Sequence, residues 1–572
     1  MSKYALGLDY GTESVRAIVV HCANGNEAAI AVSKYKHGVI TRALPTSGQP
    51  LPHDFALQHA QDYLDSGVAV IREVLKTVRA EEIIGIGVDF TACTILPIKR
   101  DGTPLMFLPE FAANPHAWVK LWKHHAAQPQ ADRINELARK RGEPFLKYYG
   151  GVISSEWMLP KCWEILEQAP EVYAATDIII DAGDWIVQQL TGQFTRNACA
   201  AGYKGFWNAE LGFPSREFLS ALDPKLAGVR EKWLQNIVAP GRRAGEVSPH
   251  FASISGLKAG TPVSAATIDA HSGVPGMGVG DEGSASIIMG TSSCHMILSR
   301  DLKFFEGYAG VTKDGIIPGF YGYESGQSAV GDIFGWFAKD FLPSALGGEG
   351  RREPQSGERG VRGAADAGDP FVELSRRASQ LKAGESGLIA LDWMNGNRSV
   401  LMNANLSGMI AGLTLQSKPE EVYRALIEAS AFGTKIILDA YIRASVPIHE
   451  LVVCGGLTKD PLIMQIYADV LNMPVKVAAS EQAVALGSAI LGALAAGPER
   501  GGFATMNEAI AKMTRQPTKT FLPNVSEHRV YERLFKLYQR CHDLFGREQQ
   551  QIMRELKELK MNHQDTKAPG TD

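Results

Sequence analysis

The cysteines of this chain form no recognisable set. Cys22, Cys93, Cys162, Cys199, Cys294, Cys454 and Cys541 are seven in number, scattered, and never spaced as CxxC. That argues against both a disulfide framework and a structural zinc site. An excess of charge of one sign is also missing. A net charge of -4 over 572 residues gives no pull toward nucleic acid or a membrane surface. Long apolar runs are missing too. The longest, near 483–497, is too short for a membrane span and holds three glycines, so it reads as a buried helix. The apolar start at residues 4–8 is cut short by Asp9 and is not the core of a signal peptide. A soluble, cytoplasmic protein is expected, with no nucleic-acid and no membrane partner. His116 and the His124-His125 pair lack HExxH or HxxxH spacing and read as a solvated helix face rather than a metal site. The phosphate-loop pattern GxxxxGK[ST] is absent, so a phosphate cradle here would be of another kind.

What is present is ample core and a repeated pattern. Hydrophobic residues make up 45% of the chain, and the length suggests two to four domains. Strands are expected at 4–8 and 15–20. Between them lies Asp9-Tyr10-Gly11-Thr12-Glu13-Ser14. A Gly-Thr turn presents backbone N–H groups and a hydroxyl that can cradle phosphate, and the preceding Asp can orient a magnesium ion through water; an ordinary hairpin loop is the other reading. A helix over 55–79 leads to a strand at 83–88 that ends in Asp89-Phe90-Thr91-Ala92-Cys93-Thr94. Carboxyl ends of strands are where open α/β sheets bind ligands. A strand end and helix are expected over 178–190, through Asp181-Ala182-Gly183-Asp184-Trp185. Lys204, between Tyr203 and Gly205, lines a polar pocket or lies on an exposed loop.

The second half echoes the first. A buried strand over 261–266 runs into Thr267-Ile268-Asp269-Ala270-His271-Ser272-Gly273, followed by Gly276, Gly278 and Gly280. This reads as a carboxylate at a strand end, then a tight small-residue turn and a flexible joint. Residues 284–298 repeat the strand, Gly-Thr-Ser turn, strand pattern around Gly290-Thr291-Ser292-Ser293, as in a duplicated domain. A strand at 451–453 ends in Cys454-Gly455-Gly456-Leu457-Thr458-Lys459-Asp460, the counterpart of the Asp89 strand end. The GxGxxG match at 278–283 precedes a strand instead of joining strand to helix, and is set aside as a dinucleotide site. Glu324, in Tyr321-Gly322-Tyr323-Glu324-Ser325-Gly326-Gln327, is a ligand carboxylate or a loop acid. Residues 344–370 read as a mobile surface insertion. Helices follow over 419–444 and 481–496. In a terminal helix over 526–560, Leu534, Leu537, Cys541, Leu544, Ile552, Leu556 and Leu559 form a stripe that packs on its own domain or makes a homodimer contact. Residues 564–572 read as a disordered tail.

From about Tyr4 to Gly497 the chain resembles the FGGY carbohydrate kinases. Gly408-Met409-Ile410-Ala411-Gly412-Leu413 followed by residues 421–428 is similar to the family's C-terminal signature, departing at Leu426. The Asp89–Thr94 stretch, Asn114-Pro115-His116-Ala117 with Leu121-Trp122-Lys123, the Asp181–Trp185 stretch and Gly202-Tyr203-Lys204 resemble the members that act on L-ribulose. The resemblance implies an α/β fold of two ribonuclease-H-like, actin-like ATPase domains with ATP and sugar in the cleft between them. It implies a sugar-binding domain over 1–272, an ATP-binding domain over 273–500, and a helical extension over 501–563. The implied activity is transfer of phosphate from ATP to L-ribulose, giving L-ribulose 5-phosphate, a step in L-arabinose use. Another pentulose or polyol (D-ribulose, xylulose, ribitol) is the alternative, and a nucleotide-switched protein without kinase activity a more distant one. By position, Asp269 would be the catalytic base. Ala92, Lys204, Asp269 and Glu324 would line the sugar pocket. Gly11, Thr12, Ser14, Gly290, Thr291, Ser292, Gly455, Gly456 and Lys459 would bind ATP, and Asp9 and Asp269 would hold Mg2+.

Overall fold

The structure is a computed structural model that describes residues 2–341 and 370–565. Its first half is built on β1 (Tyr4–Tyr10), β2 (Ser14–His21), β3 (Glu27–Lys34), helix α1 (Ala60–Val74), β4 (Ile83–Phe90), β5 (Pro262–Ser264) and β6 (Thr267–Ile268), with helix α2 (Asp269–Gly276) leaving the last strand. β1 pairs antiparallel with β2 and parallel with β4, and β5 and β6 both run parallel to β4. β1 and β4 are almost wholly buried, as strands covered on both faces must be.

The second half repeats the plan. β7 (Gly283–Met289), β8 (Ser293–Ser299), β9 (Tyr321–Gln327), helix α3 (Pro419–Arg443), β10 (Ile448–Cys454), β11 (Val475–Val477) and helix α4 (Ala483–Ala496) follow in order. β7 pairs antiparallel with β8 and parallel with β10, and β11 runs parallel to β10. The inner orders, β3-β2-β1-β4-β5 and β9-β8-β7-β10-β11, are the same. The duplication expected from the two Gly-Thr turns is therefore carried by the strand order of both sheets.

Each half has its own apolar core, and a third cluster lies between them. Its centre is α4, which packs on β1 and β4 of the first sheet and on α2. The approach is close because side chains are missing where backbones meet. A Cβ on Gly7 would lie 2.1 Å from the Ala485 carbonyl oxygen, one on Gly85 2.0 Å from that of Gly492, and one on Gly87 1.8 Å from that of Ser488. The same holds between helices, where a Cβ on Gly276 would lie 1.8 Å from the Ala483 oxygen.

Several expectations are corrected. The stretch after Asp269 is a helix rather than a tight turn, and Gly276 serves helix packing, while Gly278 and Gly280 lie beyond the helix in the connection to β7. His116 and His124 are buried, not solvated. They enclose Lys120 and Glu164, with Lys120 Nζ 3.1 Å and His124 Nε2 2.9 Å from Glu164 Oε2. Burial pushes both histidines down to about 3, so they are neutral. The extension after residue 500 is not all helical: Lys519–Phe521 adds an antiparallel strand to β11. The terminal helix has two segments, Val525–Asp543 and Gln550–Asp565. Tyr531, Phe535, Tyr538 and Met553 face the core, while Leu537, Leu544, Ile552, Leu556 and Leu559 are exposed. Of the expected insertion, only Pro370, the start of a helix to Ala378, is among the described residues. Of the expected tail, residues 564 and 565 are helical and the rest lies outside the described residues.

Candidate active site

Three parallel strands of the first sheet end side by side. Asp9 on β1 is in register with Asp89 on β4, and Asp89 with Thr267 on β6; Asp269 follows two residues later. Three carboxylates thus gather at the carboxyl edge of one sheet, the usual ligand edge of an open α/β sheet. Asp9 Oδ2 accepts from Arg16 Nη1 at 3.0 Å. Asp89 is fully buried; its Oδ2 accepts from Ser488 on α4 at 2.6 Å, and its Oδ1 has no donor. Burial raises both groups, and their mutual repulsion raises Asp89 further. Asp269 is half-buried at the first turn of α2, where its Oδ1 accepts from the Ala270 N–H at 2.7 Å. Burial, with Asp9 and Glu324 nearby, pushes it up to about 7 against the opposing effects of that bond and of Arg398. A carboxylate so poised accepts a proton near neutral pH.

The second group meets Asp269 from the other side. Glu324 lies in the middle of β9, not on a loop, and is buried. Lys204 Nζ donates to its two oxygens at 2.8 and 3.0 Å, and Arg398 donates to Oε1. His271 Nε2 lies 3.6 Å from Oε2. Burial favours the neutral acid, but Lys204 and Arg398 outweigh it and hold Glu324 at about 2. Lys204 is buried, not on an exposed loop. It caps the helix Ala198–Tyr203, whose N-cap Asn197 accepts from the Ala200 N–H and is itself held by Asp184 Oδ1 at 2.8 Å. The Asp181–Trp185 motif is therefore scaffolding for Lys204. Tyr203 ties this helix to β9 through a 2.6 Å bond to the Gly322 carbonyl. Ala92 sits half-buried on the loop after β4, and the neighbouring Cys93 carbonyl accepts from the buried Lys161 at 2.7 Å.

The two turns present amides. In the first, the carbonyls of Thr12, Glu13 and Ser14 accept from Gln58, Tyr35 and Gly11, and Trp122 Nε1 holds the Thr12 hydroxyl at 3.1 Å. In the second, the N–H groups of Val330, Gly331 and Asp332 satisfy the Thr291 and Gly290 carbonyls, and Gly290 N donates to Ser292 at 2.9 Å. With the carbonyls anchored behind them, the Thr12, Glu13, Thr291 and Ser292 amides have no hydrogen-bond acceptor among the described residues, an arrangement that suits an anion. Gly455, φ +102°, packs on the second turn's strand, and a Cβ there would lie 2.3 Å from the Met289 oxygen. That close approach is to backbone, which accounts for this glycine without a ligand. Gly456 opens a short helical turn that ends at Lys459, whose exposed Nζ pairs with Glu481 at 3.2 Å.

Arg398, His271 and Asp89 were not among the expected site residues. The only sequence signals were a strand-end Asp and a His two residues after Asp269. A magnesium ion suits the oxygen-rich corner formed by Asp9 and Asp89, where one buried oxygen lacks a partner. The cluster of His37, His59 and Asp62 does not suit it, since Nδ1 of His37 and both Asp62 oxygens are bonded to each other's residues and His59 Nδ1 caps α1.

A duplicated α/β fold with carboxylates at one sheet edge and a turn of unpaired amides in each half is of the actin-like class. A solved structure of the same fold, the xylulose kinase from Rhodospirillum rubrum, superposes with a TM-score of 0.77 at 21% identity, covering 95% of this chain and 99% of that one. Residues 4–276 match the N-terminal domain of the FGGY family of carbohydrate kinases and residues 285–496 its C-terminal domain, and the chain belongs to that family. Its relatives include a ribulokinase from Halalkalibacterium halodurans, 50% identical over 98% of both chains. A ribulokinase from Mycolicibacterium smegmatis is 44% identical over 100% of this chain and 98% of that one.

Proposed function

We propose that the protein transfers the γ-phosphoryl group of ATP to L-ribulose, giving L-ribulose 5-phosphate in the use of L-arabinose. The observation that carries this reading is Asp269, raised to about 7 at a sheet edge flanked by two anion-binding turns and by the buried Lys204–Glu324 pair. Full-length similarity to ribulokinases supports the choice of sugar.

In this reading Asp269 accepts the proton of the sugar's terminal hydroxyl as the oxygen–phosphorus bond forms. The bond from phosphorus to the ADP oxygen breaks, and ADP keeps the electron pair. General-base help of this kind is worth ~10²–10⁴-fold. Glu324 and Lys204 hydrogen-bond sugar hydroxyls and select which oxygen reaches Asp269, with Ala92 leaving room on the third side. The turns at Gly11–Ser14 and Gly290–Ser292 receive phosphate oxygens, and Gly456 and Lys459 lie on the nucleotide side. Asp9 and Asp89 would hold Mg2+ beside Asp269, and the ion would neutralise charge on the phosphates. The division at residue 272 into sugar and ATP domains, the latter ending near residue 500, is supported by the two family matches.

Among the described residues no helix is long and apolar enough to cross a membrane. Seven free cysteines and an ATP-consuming reaction suit the cytoplasm. The exposed leucines of the terminal helix suit a homodimer contact. The deciding experiment is ADP release across a panel of pentuloses and polyols, with EDTA as the metal control. L-ribulose is expected to give the highest kcat/KM, and no sugar-stimulated release from any member would overturn the reading.

A further inference from the structure

We propose that Arg398 is a catalytic residue that grips the phosphoryl group as it passes from ATP to the sugar. The inference deepens the kinase reading above and rests on it. Three observations converge on this side chain.

The first is position. Arg398 donates through Nη2 to Glu324, the carboxylate of the sugar pocket, and through Nη1 to Cys294 Sγ at 3.8 Å. Cys294 is the second residue after the Gly290–Ser292 turn. One guanidinium therefore spans from the acceptor pocket to the strand that leaves the phosphate turn. The group lies within electrostatic reach of Asp269, so it stands beside the point where proton and phosphoryl group would move.

The second is charge. Glu324 faces two cations, Lys204 and Arg398, while His271 beside it is neutral with no hydrogen bond to either ring nitrogen. Asp269 and Glu156 also lie within electrostatic reach of Arg398, but among the described residues Glu324 is the carboxylate that pairs with both cations, which leaves Arg398 donors open to an arriving anion. Within the trio, Lys204 and Glu324 have side chains only 5% and 3% exposed, whereas that of Arg398 is 32% exposed. The arginine is the cation of the pair that reaches solvent.

The third is chemistry. Guanidinium has five N–H donors in a planar fork, of which Glu324 and Cys294 take two. Such a fork matches phosphate oxygens pairwise. During transfer, negative charge spreads over the three equatorial oxygens of the phosphoryl group, and an arginine placed there is worth about 10³–10⁵-fold in kcat. Nothing in the bond changes alters: the hydroxyl proton still goes to Asp269 and the electron pair still leaves with ADP.

The test uses the full-length protein with Arg398→Lys and Arg398→Ala, ATP and L-ribulose. Wild-type turnover checks the kinase reading itself, and its absence would sink that reading independently of Arg398. Given wild-type turnover, kcat is expected to fall about 10³-fold or more in Arg398→Ala, while sugar binding, read by titration calorimetry, stays near the wild-type value. Capture of ADP and aluminium fluoride in the presence of sugar is expected in wild type and lost in both variants. Added guanidinium should restore part of the Arg398→Ala turnover, an effect that a purely structural role would not produce. A variant with unchanged kcat and a raised KM for sugar, or with wild-type capture of aluminium fluoride, overturns the proposal. If Arg398→Ala does not fold, Arg398→Lys, which keeps the charge and loses the fork, carries the same readouts.

Discussion

Asp9 and Ile288 occupy the same place in the two halves, two residues before the turn glycine on the central strand. Their partners across the parallel pair also match, Asp89 for the first and Cys454 for the second. Backbone, register and strand order agree, yet one half sets two carboxylates where the other sets an apolar side chain and a thiol. The difference shows how a duplicated scaffold divides its labour. In the proposed reaction, two carboxylates beside the second turn would repel the triphosphate, whereas beside the first they would face the metal and the base. The fold supplies two Gly-Thr turns, and only the first has carboxylates in register beside it.

This asymmetry can be broken or sharpened by substitution. The largest effect is expected from Asp269→Asn, which keeps shape and removes the base: kcat should fall ~10²–10⁴-fold, with sugar affinity within a few-fold, as read by ADP release and a sugar titration. If activity survives, the first half's carboxylates are not the reactive ones. Glu324→Gln comes next, because it strands Lys204 and Arg398 without their anion. A loss of about 3–5 kcal/mol is expected, measured by urea unfolding. Gly276→Ala should cost about 1–3 kcal/mol by overpacking, since the new methyl meets the Ala483 carbonyl; the same titration measures it.

The pH profile follows from Asp269. Its acid form cannot accept a proton, so kcat/KM should be full above about 7 and drop about tenfold per unit below it. Glu324, held at about 2, does not titrate in that range, and an acid limb near 4 would move the base elsewhere. The smallest effect belongs to the second half: Ile288→Val should cost about 0.5–1.5 kcal/mol and leave the pH profile untouched. A shifted profile in that variant would erase the distinction between the halves.

The repeated hairpins and the strand ends carrying Asp89 and Asp269 are legible because each rests on local pattern, whereas Lys204 and Glu324 are singled out for the pocket only by the family resemblance. What escaped rests on contacts between distant residues. Arg398 lies 74 residues from Glu324, with no motif to announce it. His124 looked solvated because its partner Glu164 is 40 residues away. The helix after Asp269 was hidden by its glycines and by Pro275, residues of poor helix propensity; packing against α4 overrides that preference. The two family matches divide the chain cleanly, yet α4 follows the second sheet in sequence and lies on the first sheet in space.

That last arrangement bears on how the protein can be taken apart. A fragment ending near residue 272 would leave Gly7, Gly85 and Gly87 as a bare strip of backbone where α4 should lie, and Asp89 would lose its bond from Ser488. The two halves are thus not interchangeable modules. A chimera that borrows one half from a relative must borrow the last helix of the other as well.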